Sequence, residues 1–172
     1  MEEKEVIELL SKDENFAVAR LIAVKYEKVK QKLADDLFNQ IKNHIEYKYV
    51  DLKSIGKTKI SDKNCYLDFK NEKWTDVRLR FQFDGTDFHL FKCCILGDSK
   101  NVDVKQKQID YFLNKMPGKD EHTSASVYRY LVPIDLHELP MPRWHIEKDI
   151  ILKQVDTMIN AINEYFGIKN ED

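Results

Sequence analysis

Between Trp74 and Leu96 apolar and polar residues alternate. Val77, Leu79 and Phe81 fall on one side, Arg78, Arg80 and Gln82 on the other, and Asp84-Gly85 interrupts them. Alternation about an Asp-Gly pair predicts a β-hairpin with strands over 74–83 and 86–96. A two-residue turn sets Phe81 opposite Phe88 and Leu79 opposite Leu90, so Val77, Leu79, Phe81, Phe88 and Leu90 share the buried face. Arg78, Arg80, Gln82, His89 and Phe91 then share the opposite face. A preceding strand is predicted over 60–69, with Cys65, Leu67 and Phe69 on one face and Asn71-Glu72-Lys73 as the turn. A further strand over 126–132 ends at Pro133, and 119–124 reads as a polar loop.

The helical segments follow a different period. Residues 1–49 contain neither glycine nor proline. A short helix is predicted over 2–10, and Ser11 or Asp13 can cap a second. In that second helix Ile22, Tyr26, Val29, Leu33, Leu37, Ile41 and Ile45 recur at steps of three or four, one apolar stripe on a helix of about 30 residues and roughly 45 Å. The stripe is expected to face the core. The helix is nevertheless longer than a small sheet covers, so part of it is left for a partner, or a break near 12–15 folds it back. Ile109, Phe112, Leu113 and Met116 mark a helix stopped by Pro117-Gly118. A last helix over 145–166 carries Ile151, Val155, Ile159 (or Met158), Ile162 and Phe166, with Gly167 placed as its C′ residue.

Strands in a run, rather than alternating with helices, predict an α+β fold: an antiparallel meander with one further strand, the long N- and C-terminal helices packed on one face. The length of 172 residues suits a single domain, with 1–49 as its helical N-terminal segment. Apolar residues make up 42% and charged residues 34%, an ordinary globular composition. The net charge of −2 leaves nucleic-acid binding to a local patch. The three cysteines, Cys65, Cys93 and Cys94, lack CxxC spacing and read as buried free thiols of a reducing cytoplasm. No run approaches the ~20 apolar residues of a membrane span.

Candidate chemistry is sparse. The five glycines are isolated, which excludes Walker-type and GxGxxG phosphate cradles. His137 and His145, with Glu138 and Glu147 beside them, lack a third metal ligand, so no metal site is assigned. His89 and Cys93 share a strand face about 13 Å apart, too far for thiol–imidazole activation. Asp51, followed by Asp68-Phe69-Lys70, matches the outline of a PD-(D/E)xK nuclease, in which carboxylates hold Mg²⁺ and the ion generates a nucleophilic water. The usual proline before the first aspartate is here Val50. This Mg²⁺-dependent nuclease is the enzymatic alternative; otherwise no cofactor is expected. The non-enzymatic reading uses Arg78, Arg80 and His89 as a patch for phosphate, carboxylate or a partner protein. It expects partner binding or self-association, and no membrane.

The stretch from Asn15 to Phe38, followed by Trp74 and Arg80-Phe-Gln-Phe, resembles the region downstream of the nuclease core in large bacterial and phage PD-(D/E)xK-type proteins. The resemblance implies an accessory module of a defence or phage system, without a nuclease core of its own. It also implies that Asp51 and Asp68 are not catalysts.

Overall fold

Among the described residues six strands form one antiparallel sheet in the order β1-β2-β3-β4-β6-β5. The computed structural model describes residues 3–59, 64–84, 90–97, 100–115, 119–123, 126–130 and 143–169. The strands are β1 (Lys53–Lys57), β2 (Tyr66–Lys70), β3 (Val77–Asp84), β4 (Leu90–Gly97), β5 (Lys119–Thr123) and β6 (Ser126–Tyr130). The helices are α1 (Glu3–Leu10), α2 (Asp13–Lys48), α3 (Val102–Lys115) and α4 (Arg143–Tyr165). This is the expected α+β meander.

Two strands depart from expectation. β1 reads Lys-Ser-Ile-Gly-Lys and β5, within the expected polar loop, reads Lys-Asp-Glu-His-Thr. Both lie at sheet edges. An edge strand needs backbone pairing on one side only, and charged side chains there discourage pairing with another chain. Such strands carry no apolar alternation to find. β3 begins at Val77 rather than Trp74, because Trp74–Asp76 turn the chain: Trp74 N–H donates to the Asn71 carbonyl at 3.0 Å, and Asp76 takes φ +57°. Aspartate tolerates that left-handed conformation.

The hairpin register also differs. The ladder pairs Phe81 with Cys93, Leu79 with Ile95 and, last, Asp84 with Leu90. Five residues, 85–89, therefore connect the strands instead of two. The odd shift inverts β4 relative to β3. Phe91, Cys93 and Ile95 join Val77, Leu79, Phe81 and Phe83 on the buried face. Phe91, expected beside Arg78 and Arg80, is a core residue; Leu90, expected opposite Leu79, pairs with Asp84. Phe88 and His89 lie outside the described residues, as does His137.

The buried face meets the C-terminal part of α2 (Ala34, Leu37, Phe38, Ile41, Ile45), Ile109 and Phe112 of α3, and Ile151, Val155, Met158, Ile159 and Ile162 of α4. Phe38, Phe83 and Phe91 form a ring cluster with centroids 4.8–6.3 Å apart, which offset and tilted aromatic geometry favours. α4 ends as its sequence predicts. Gly167, at φ +66°, donates to the Glu164 carbonyl at 3.1 Å, and Ile168 donates to Asn163 at 2.8 Å. These are the two bonds of a Schellman cap. All three cysteines are buried and none forms a disulfide, and burial pushes the Cys93 thiol well up, so it is a packing residue. No described helix is long and apolar enough to cross a membrane.

Asp156 ties α4 to the end of α2. Its carboxylate accepts from Lys48 Nζ at 2.7 Å and from the Tyr49 hydroxyl at 2.9 Å, and lies 2.7 Å from His44 Nε2. Burial raises the Asp156 pKa, but the hydrogen bonds from Lys48, His44 and Tyr49 outweigh it and hold it below the ordinary aspartate value. A carboxyl depressed on folding contributes stability that is fully present above its unfolded pKa, about 4, and is lost as pH falls through the lower folded value. Denaturant titrations from pH 6 to pH 2 are therefore expected to show an acid limb that is shallower in Asp156→Asn. Parallel limbs in the two proteins would assign the acid sensitivity to other groups.

Candidate functional site

The N-terminal part of α2 leaves the body of the protein. Leu37, Ile41 and Ile45 of the expected stripe are buried and Leu33 is partly buried, but Ile22, Tyr26 and Val29 are exposed. The stripe thus divides at about residue 30, and its first half does not face the core. From Asp13 to Val29 this arm is 17 residues, about 25 Å. Phe16, Ile22 and Val24 are 60–62% exposed, and Val18, Leu21, Tyr26 and Val29 are exposed too. α1 adds exposed Ile7, Leu9 and Leu10.

Local chemistry explains the shape. Lys12 is extended, with φ −72° and ψ 138°, and starts α2. Asp13 and Glu14 in the first turn complement the helix dipole. The Ser11 hydroxyl donates to the Ile7 carbonyl at 2.7 Å, and Asn15 Nδ2 to the Leu9 carbonyl at 2.9 Å, fixing the α1–α2 corner. The break expected near 12–15 is present, yet α1 does not cover the arm. Because the anchored half of α2 supplies the nucleus, the arm needs no nucleation of its own. The sequence does carry a signal that this segment needs cover beyond one face: from Phe16 to Val24 every residue but Arg20 is apolar, and a helix apolar all round is one that is covered on several sides.

The second candidate surface is the sheet face opposite the helices. Arg80 grips Asp68 bidentately, Nε to Oδ1 at 2.7 Å and Nη2 to Oδ2 at 2.8 Å. Its guanidinium also lies 3.7 Å from the centre of the Tyr66 ring. Arg78 Nη1 stands 3.8 Å from Asp68 Oδ2. The register explains the meeting: Asp68 lies directly across from Arg80 in the β2–β3 ladder. The Asp68 side chain is 4% exposed, against 19% for Arg80 and 34% for Arg78. The hydrogen bonds to Asp68 raise the Arg80 pKa further, so this cation is permanent.

The structure thus brings together two residues expected to bind, Arg78 and Arg80, and one considered as a metal ligand, Asp68. Lys70 follows on the same strand, opposite Lys53 of β1. Asp51 is elsewhere: its carboxylate is 63% exposed, lies 3.5 Å from Lys73 Nζ, and borders an open cavity of about 630 Å³ with Tyr49, Asn71, Asn163 and Lys169. Asp68 does not line that cavity. Among the described residues no three His, Cys, Asp or Glu side chains gather as a metal site would require. A local basic patch does form where Lys28 and Lys32 of α2 approach Lys57 and Lys59. Asp35 partly neutralises it through a 2.6 Å contact with Lys57. No protein family, curated protein or solved structure matches this chain.

Proposed function

We propose that this chain is a non-enzymatic interaction module whose contact surface is the α1–α2 arm. The observation that carries the reading is the exposure of ten large apolar side chains, three on α1 and seven on the arm of α2. Soluble monomers rarely expose apolar patches beyond a few hundred Å², and larger ones mark interaction sites. Covering such surface stabilises an assembly by roughly 25 cal/mol per Å² before the costs of association. The resemblance to accessory regions of bacterial and phage nucleases suggests the setting: a defence or phage complex in which this module joins other chains.

The enzymatic alternative has less support. Asp68 spends both carboxylate oxygens on Arg80, and a Mg²⁺ ion would have to displace that guanidinium. Asp51 faces Lys73 instead. Light scattering on the full chain tests the proposal. The expected mass exceeds the 20.4 kDa of one chain. DNA cleavage in Mg²⁺ by the wild type that disappears in Asp68→Ala would overturn it.

A further inference from the structure

We infer that the occupant of the arm is a second copy of this chain, its arm lying antiparallel to the first. The inference rests on the reading of the arm as a contact surface and names the partner. Charge along the arm supplies the first argument. Residues 3–14 carry Glu3, Glu5, Glu8, Asp13 and Glu14 against Lys4 and Lys12. Residues 20–32 carry Arg20, Lys25, Lys28 and Lys32 at the surface, with Lys30 buried, against Glu27. The acidic end of one arm therefore complements the basic part of another only when the two run in opposite directions. Parallel arms would set like charge against like, which disfavours that pairing. Opposed helix dipoles add in the same sense.

The spacing supplies the second argument. With the twofold axis beside Leu21, Glu14 of one copy lies level with Lys28 of the other, and Val18 with Val24. Like helices in a bundle, such arms would pack side by side at 8–10 Å. The area of the arm is also sufficient. The exposed apolar side chains of α1 and the arm offer on the order of 1,000 Å², against the roughly 800 Å² each partner contributes to a standard interface. The arm is apolar around more of its circumference than one helix covers. A pair of chains brings four helices, two arms and two α1 segments, which is enough to enclose it.

Disulfide trapping on the full chain tests the arrangement, since the three native cysteines are buried. Under mild oxidation Leu21→Cys is expected to form an interchain disulfide. Glu14→Cys alone is expected to give none, because two such positions would lie about 20 Å apart along antiparallel helices. Mixing Glu14→Cys with Lys28→Cys is expected to restore the cross-link. Cross-linking of Glu14→Cys to itself as readily as Leu21→Cys would mean parallel arms and overturn the inference. So would the absence of any cross-link, or a chain that stays monomeric and sediments with anionic phosphatidylserine vesicles. Loss of cross-linking removes the second copy as occupant, whereas Mg²⁺-dependent cleavage would remove the interaction reading itself, so the two failures are distinct.

Discussion

Trp74→Ala is expected to lower the unfolding free energy by about 3–5 kcal/mol, the range for removing a large buried aromatic. Trp74 is fully buried in the turn between β2 and β3. Its indole Nε1 donates to Asn163 Oδ1 of α4 at 2.9 Å, inside the protein. Alanine removes the packing, leaves a cavity and takes the indole donor away from a buried acceptor. The last term alone costs about 1–3 kcal/mol when the acceptor finds no substitute. Trp74→Phe keeps most of the volume and is expected to cost less. Because small domains hold only about 5–15 kcal/mol in total, Trp74→Ala consumes a large share. Urea denaturation followed by far-ultraviolet circular dichroism measures it, as a lower midpoint with an unchanged slope. A shift worth under about 1 kcal/mol would show that the turn does not anchor α4.

Asp68→Ala is the second large effect, again about 3–5 kcal/mol, because it strands a half-buried guanidinium. Arg80 donates both its Nε and Nη2 hydrogens to Asp68, whose side chain is 4% exposed. Removing that carboxylate leaves the cation with its Tyr66 stacking and the solvent it can reach. Replacing both partners with apolar residues, Asp68→Leu together with Arg80→Met, is expected to recover most of the loss, since a buried pair repays little more than its own desolvation. The same denaturation experiment separates the cases. A loss below about 1 kcal/mol for Asp68→Ala would place the pair among solvated surface bridges.

These two positions show what the sequence can and cannot disclose. The alternation from Val77 to Phe83 is carried by residues whose side chains must choose a face, and it identifies β3 and the core side correctly. The partner strand's register depends on how many residues the turn consumes. Asp84-Gly85 suggests two, but the Asp84–Leu90 pair leaves five, and one odd step moves Phe91 into the core. Asp68 and Arg80 were recognisable as charges on predicted strands. That they neutralise each other follows only from the β2–β3 register, which brings them face to face. The edge strands β1 and β5 have no apolar period because sheet edges do not require one. The α2 stripe runs unbroken from Ile22 to Ile45, and nothing in its period marks where the body of the protein stops. That boundary falls near Lys30, where burial along the helix begins.

On the proposed function the arm of α2 is a contact surface rather than a solvated extension. Its most direct test compares the molar mass of the wild type with that of the double substitution Leu21→Glu, Ile22→Glu by light scattering over a wide concentration range. Both positions are exposed and outside the core, so the variant is expected to keep the wild-type circular dichroism spectrum and to unfold cooperatively, at a temperature lowered only by loss of the dimer contact. The predicted result is twice the 20.4 kDa chain mass for the wild type and a single chain mass for the variant. One and the same mass for both proteins would contradict it.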